Sequence, residues 1–331
     1  MSVQVIAPSR LHFGLIHVPL PGLTHWPDGT EIRNFGGLGL MLASPTVQVT
    51  ASQHYGSFRA TGNLAERALE FAELLRQRCF EYFDHELRVE LIANGPPQHV
   101  GLGVGTALAL ATCDAMVQTL VPWRDSTSFL AWATQRGQRS GIGITGYDLG
   151  GFIVDDGKIS DIQLPSLYDR TDFPQDWRIV LVRPPVEPIW HGQKEREAFL
   201  GARDVLQAQQ TSFALRKLAH ETILTSVYAE DFRTFSESIA EFNRLAGEPF
   251  QNAQGGIYAS PEIACVIDDL MDMGTAGVGQ SSWGPTVFAF AESEDQAHFI
   301  AKCARDRFSS ETEIQVTQAN NTGAESVKSD G

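Results

Sequence analysis

From Gly105 to Leu120 the chain places Ala, Leu, Met, Val, Cys and small hydroxyl residues at nearly every position, with only Asp114 and Gln118 to interrupt them, before Pro122 ends the run. A helix with this composition has no face suited to water, so other layers must wrap it. The segments around it say which layers. Val3-Gln4-Val5-Ile6, Thr46-Val47-Gln48-Val49-Thr50 and Arg88-Val89-Glu90-Leu91-Ile92 alternate as half-buried strands do. Between the last two, Leu64, Ala68, Phe71 and Leu75 recur at helical spacing, with Asn63 and Glu66 placed to form a capping box. Ser126 or Ser128 is set to cap a further helix through Phe129, Leu130 and Trp132, and Phe152 to Ile159 reads as a hairpin turning at Asp156-Gly157.

The rest of the chain changes character. Residues 165–177 are polar, with Pro165 and Pro174, and read as a crossing to a second unit beginning at the strand Arg178-Ile179-Val180-Leu181-Val182. Two long helical stretches follow, over 203–229 and 231–246, and Ser260-Pro261 opens another helix that Gly274 stops. Residues 317–331 show no periodicity and read as a disordered tail. The expected organisation is therefore a domain over 1–165, a second over 176–316, and that tail.

Charge narrows the partners. With a net charge of -15 the chain is a poor match for nucleic acid or an anionic membrane, both of which demand basic patches. No apolar run approaches the ~20 residues of a membrane span, and Met1 to Pro8 enters a strand pattern without a signal-peptide layout, so a cytoplasmic protein is expected. Cys79, Cys113, Cys265 and Cys303 lie far apart, which points to neither disulfides nor zinc. An anion site in such a chain must be local, built from backbone N–H groups and a few chosen cations.

Two loops have that chemistry. His99-Val100-Gly101-Leu102-Gly103-Val104-Gly105-Thr106 follows a strand and runs straight into the apolar helix, an arrangement that lets backbone amides and the helix dipole face an anion. Gly277 to Thr286, with Gln280, Ser281, Ser282 and Trp283, crowds glycines and hydroxyls before the strand Val287-Phe288-Ala289-Phe290. Arg10 and His12 share one face of the first strand, an unusual cation pair for a core strand. Arg139 beside Ser140 is placed to clamp a phosphate, Asp148 before Gly150-Gly151 is the leading carboxylate for a metal, and Lys194 and Gln254 are further candidates for substrate contact.

Pro97 with Gly101-Leu102-Gly103 resembles the second motif of the GHMP kinase superfamily, and Gly277 to Gly284 resembles its third, although Val104 and Gly105 stand where those kinases carry serines. A narrower resemblance covers nearly the whole chain. Ala7 to Gly14, Gly36 to Leu40, His99 to Ala111, Arg139 to Gly143, Gly150 to Asp155, Gln254 to Gly256 and Gly279 to Thr286 are similar to the β-ribofuranosylaminobenzene 5'-phosphate synthase family. That resemblance implies an α+β, GHMP kinase-like fold, with an N-terminal domain of the ribosomal S5 domain 2-like kind, a ferredoxin-like C-terminal domain, and a site in the cleft between them.

The same resemblance implies phosphoribosyl transfer from phosphoribosyl pyrophosphate to 4-aminobenzoate or 4-hydroxybenzoate, with loss of pyrophosphate and CO2, toward methanopterin-type pterins. Arg10, His12, Ser281 and Ser282 are then expected at the chemistry. His99, Gly101, Leu102, Gly103, Gly105, Thr106, Arg139, Ser140, Lys194, Gln254, Gln280 and Trp283 are expected at the substrate, and Asp148 at Mg2+. A homodimer is the assembly to test. An ATP-dependent GHMP-type kinase would release ADP instead, and a non-catalytic relative would bind without turnover.

Overall fold

The protein is described here by a computed structural model, covering all residues except Pro21, 80–86, 121–125, 161–162, His191, 200–204 and 330–331. Two sheets organise the chain. The first holds β1 (Ser2–Leu15), β2 (Gly37–Tyr55), β3 (Arg59–Thr61), β4 (Leu87–Asn94), β5 (Phe152–Gly157), β6 (Ser166–Thr171) and β11 (Glu325–Ser329). Its path is β11-β1-β2-β4-β3, with β5 paired to both β2 and β6. The second has the order β10-β7-β9-β8, from β7 (Arg178–Arg183), β8 (Val278–Gln280), β9 (Val287–Ala291) and β10 (Glu313–Thr317).

Helices α1 (Ala65–Arg78) and α2 (Val104–Leu120) pack on the first sheet. Every residue of α2 from Ala107 to Thr119 is buried, as its all-round apolar sequence requires. Even Asp114 is enclosed, and it accepts hydrogen bonds from Tyr147 Oη at 2.8 Å and Gln118 Nε2 at 2.8 Å. Short helices α3 (Thr127–Ala133) and α4 (Ile142–Leu149) follow, the first capped by Ser126. Helix α5 (Gly192–Phe199) precedes α6 (Val205–Lys217), which runs through a π-helical segment, Leu218–Ile223, into α7 (Leu224–Tyr228). Helix α8 (Phe232–Gly247) leads to the short α9 (Gln251–Gln254), while α10 (Pro261–Asp272) and α11 (Glu294–Arg307) cover the second sheet. Among the described residues no helix is long and apolar enough to cross a membrane.

An aromatic cluster locks the two sheets together. Phe13 of β1 meets Phe288 and Phe290 of β9 at centroid distances of 5.1 and 5.9 Å, and Phe235 of α8 meets Phe290 at 4.9 Å and Phe173 at 5.3 Å. All five rings are buried. Pairs of this kind contribute about 0.5–1.5 kcal/mol each beyond the area they bury. The seam thereby fixes β1 against the β8–β9 connection, which is where the site lies.

Three expectations change. The expected disordered tail over 317–331 is ordered as far as Ser329, residues 330–331 lying outside the described ones: Glu325–Ser329 forms an edge strand on β1, pairing Ile6 with Glu325 and Ser2 with Ser329. Its residues are all exposed, so no apolar alternation marks it, and it is held by main-chain pairing with β1 and by Ser326 Oγ, which donates to Gln118 Oε1 at 3.3 Å. Phe152 to Ile159 makes no hairpin at Asp156-Gly157; β5 pairs instead with β6, inside what reads in sequence as an interdomain crossing. Asn63 does not cap α1 but exchanges hydrogen bonds with the backbone of Gly95.

Candidate active site

Arg10 enters the molecule from β1, and the glycine-rich loop is shaped around it. A Cβ on Gly103 would lie 2.7 Å from Arg10 Nε, and one on Gly143 would lie 3.1 Å from the same atom. Gly103 also has φ +69, a left-handed conformation that glycine adopts without strain. The loop glycine therefore serves a protein side chain as much as any ligand. Arg10 Nε and Nη1 are enclosed and have no hydrogen-bond partner among the described residues. Burial, and then Arg139, pull its pKa down to about 10, so it stays charged at neutral pH. A buried guanidinium with unused donors is costly until an anion completes it.

His12, two residues on and on the same face, is buried and lines the same cleft. Desolvation, followed by Arg10 and Arg139, holds its imidazole well below the usual histidine range, which leaves it neutral. Its backbone carries the contact between the two glycine-rich segments. His12 N–H donates to Ser281 Oγ at 3.0 Å, Ser281 Oγ–H donates to Gly101 O at 2.6 Å, and Ser282 N–H donates to His12 O at 2.8 Å. Thr286 Oγ1 donates to Val100 O at 2.6 Å, and Arg10 N–H to Leu102 O at 3.0 Å. The two glycine-rich loops therefore meet by direct bonding.

A cleft of about 280 Å³ opens beside this junction. Its charged side chains are Arg10, Arg136, Arg139 and Glu195, three cations against one anion, in a chain whose net charge is -15. Arg136 packs its Cζ 4.9 Å from the Phe71 ring centroid and lies over Gly105 at the start of α2. Burial first, then Arg67 and Arg139, lower its pKa to about 10. Thr106 and Ser140 add hydroxyl-bearing residues to the lining.

The turn carrying Arg139 and Ser140 is held by Asp155. That carboxylate accepts from Gly141 N–H at 2.5 Å, Gly157 N–H at 2.9 Å and Ser140 Oγ at 3.3 Å. Desolvation nonetheless raises its pKa to about 6.

Another wall of the cleft is aromatic. Trp283 packs against Phe250, Phe199 and Trp190 at 4.7, 5.8 and 5.7 Å, and Arg139 Cζ sits 5.4 Å from the Phe199 ring. Glu195 joins this wall to the cationic one, because it accepts from Trp283 Nε1 at 2.9 Å and forms an ion pair with Arg139. Asn243 of α8 braces the floor, donating to the carbonyls of Phe13 and Gln280 and accepting from Gln280 N–H.

The structure brings Arg10, His12, Thr106, Arg139, Ser140, Gln254, Gln280, Ser282 and Trp283 to one cleft. It does not bring the others. Asp148 is exposed and accepts from Thr127 Oγ1 at 3.2 Å, and Lys194 points to solvent from α5 while its neighbour Glu195 turns inward. His99 is exposed and outside the cleft lining; Leu102 is core, and Gly101 and Gly103 support Ser281 and Arg10. Gly105 lies beneath Arg136. Ser281 is fully buried, its hydroxyl hydrogen already given to Gly101, so it braces the loops. Gln280 has both ends of its amide bonded, to Ala259 N–H and Ser282 O.

The donors do not fit a magnesium ion held by protein carboxylates. Asp148 is remote from the lining and Asp155 is engaged by three donors, which leaves Glu195, already paired through Oε1 with Arg139 and Trp283, as a lone carboxylate in the lining. No group of three or more potential metal-binding side chains converges among the described residues.

Sequence reasoning missed the roles of Arg136, Glu195, Asn243, Phe199 and Phe250. Arg136 and Arg139 flank Gly137-Gln138, and that spacing was the available signal for the first. The others come from helices that reach the cleft only through the tertiary fold.

Residues 223–310 match the family model for the C-terminal domain of GHMP kinases. The β-ribofuranosylphenol 5'-phosphate synthase of Archaeoglobus fulgidus is 30% identical, over 98% of this chain and 99% of its own. The protein of the same name from Methanothermobacter thermautotrophicus is 28% identical, over 89% and 91%. Among solved structures, homoserine kinase from Cytophaga hutchinsonii superposes with a TM-score of 0.67 at 17% identity, covering 98% of this chain and 97% of that one. The fold is that of the GHMP kinases.

Proposed function

The chain belongs to the β-ribofuranosylphenol 5'-phosphate synthase family, and from that premise we propose that it transfers a 5-phosphoribosyl group from phosphoribosyl pyrophosphate to a 4-substituted benzoate, releasing pyrophosphate and CO2. The observation that carries this reading is the cleft itself, in which three arginines stand beside an aromatic wall. The donor substrate carries two anionic groups and the acceptor carries an aromatic ring. Arg10 and Arg136, with the start of α2, are assigned to the pyrophosphate; Arg139 and Ser140 are assigned to the 5'-phosphate.

The chemistry needs little from the protein beyond position and charge. The ring carbon bearing the carboxylate forms a bond to C1 of the ribose as the bond to pyrophosphate breaks. CO2 then leaves, and its bonding electron pair returns to the ring. No net proton transfer is required, which suits a cleft whose histidine is held neutral. Charge developing on the departing pyrophosphate meets preorganised guanidinium donors, where electrostatic stabilisation is most effective. The aromatic wall orients the ring for in-line attack. Magnesium enters this proposal as the counter-ion that the pyrophosphate brings.

The relatives are named for a ribofuranosylphenol product, so 4-hydroxybenzoate is the first acceptor to test and 4-aminobenzoate the second. Shared architecture with homoserine kinase decides nothing about chemistry. Val104, where the kinase motif has serine, is a core residue here. Turnover with phosphoribosyl pyrophosphate, Mg2+ and each benzoate, with the arene product identified by mass, tests the proposal. ADP formed from ATP and an alcohol, with no arene product, would assign the cleft to phosphoryl transfer instead.

A further inference from the structure

Glu195 is the one carboxylate in the lining of the cleft, and its two oxygens are used unequally. Trp283 Nε1 and Arg139 Nη1 both engage Oε1. Oε2 carries no hydrogen bond among the described residues. One hydrogen bond and one ion pair on the same oxygen hold the group, and Trp283 in turn is wedged by Phe199 and Phe250. The result is a rigid acceptor at the edge of the aromatic wall, on a helix whose neighbouring residues Gln193 and Lys194 face solvent.

The geometry points to Glu195 as the group that reads the substituent para to the acceptor's carboxylate, its Oε2 taking the hydrogen of a hydroxyl or amino group. This inference rests on the phosphoribosyl-transfer reading and names the specificity determinant of the same site. A benzoate bound this way keeps its own carboxylate at the far end of the ring from Glu195, so like charges stay apart. Hydrogen bonding of the para donor to an anion also pushes electron density into the ring, toward the carbon that attacks the ribose. A site built to pair a substrate hydroxyl discriminates strongly against an analogue lacking it, because the site's own polar group is then left unpaired.

The first test uses the unaltered protein: inhibition by benzoate and 4-methoxybenzoate is compared with the binding of 4-hydroxybenzoate. Both analogues should bind at least tenfold more weakly; equal affinity would overturn the assignment without any variant. The second test is Glu195→Gln. Its amide oxygen would still accept from Trp283 while the charge pairing with Arg139 is lost, leaving an NH2 group to face the para substituent. A phenol oxygen accepts from NH2, whereas an aniline nitrogen is a poor acceptor. The predicted result is a loss of at least a hundredfold in kcat/KM for 4-aminobenzoate and about tenfold for 4-hydroxybenzoate; any change at the 5'-phosphate from unpairing Arg139 is common to both reactions and cancels in the acceptor ratio. Gln193→Ala, on the solvent face of the same helix, should leave the acceptor ratio unchanged. Equal loss for both acceptors in Glu195→Gln would make Glu195 a structural brace and sink the inference. Absence of turnover by the unaltered protein with any benzoate would instead defeat the function on which it rests.

Discussion

At the scale of residues, the site is built on Arg10 and the space kept for it. Arg10→Ala should lower kcat/KM at least a hundredfold while the melting temperature holds or rises, because the variant removes a buried cation whose Nε and Nη1 have no partner. Gly103→Ala places a Cβ within 2.7 Å of Arg10 Nε at a positive φ, so it should cost activity and stability together, and the double variant with Arg10→Ala should recover part of the stability. Two titrating groups beside Arg10 oppose each other. His12 is depressed, so below its ordinary 6.5 the unfolded chain takes the proton first and stability falls as pH falls. Asp155 is raised from 3.8 to about 6, so its contribution is present below 3.8 and is lost as pH rises through about 6. Thermal melts of the wild type and Asp155→Asn should show the wild type's relative stability declining between those two values; a pH-independent difference would contradict the shift. Arg10 and His12 were legible in the sequence because strand alternation puts them on one face among apolar neighbours. Arg136 was not, since an arginine beside glycine at a helix end looks the same whether it meets solvent or a cleft.

At the scale of elements, the site depends on how β1 is gripped from both sides. Phe235 on α8 touches Phe152, Phe173, Trp177 and Phe290. Its replacement by alanine should cost about 3–5 kcal/mol in denaturant unfolding, the range for a large buried aromatic, and a loss below 1 kcal/mol would mean that the seam is not a single packed unit. The strands and helices with apolar periodicity were readable in advance. The edge strand Glu325–Ser329 was not, because its information lies in backbone hydrogen bonds and in the vacant edge of β1 rather than in side chains. The same holds for β6, whose exposed first half sets Leu167 beside Tyr168 with no period-two alternation. Glu195 was passed over in favour of Lys194 for a related reason. Within α5 a charged stretch looks like solvated surface, and only the fold turns Glu195 toward Arg139 and Trp283.

At the scale of the whole molecule, an acidic protein presents a cationic cleft between two packed sheets. Anions should therefore stabilise it locally and specifically. Pyrophosphate at a hundred times its dissociation constant should raise the unfolding free energy by about 2.7 kcal/mol, and the gain should vanish in Arg10→Ala combined with Arg136→Ala. Equal stabilisation by sulfate at the same ionic strength, retained in the double variant, would place the anion elsewhere. The central claim is tested most directly by incubating the protein with phosphoribosyl pyrophosphate, Mg2+ and carboxyl-labelled 4-hydroxybenzoate, following both leaving groups in one reaction. Phosphoribosyl transfer with decarboxylation yields labelled CO2 and pyrophosphate in equal amounts, both dependent on Arg10. Pyrophosphate without CO2, or neither product, would contradict it.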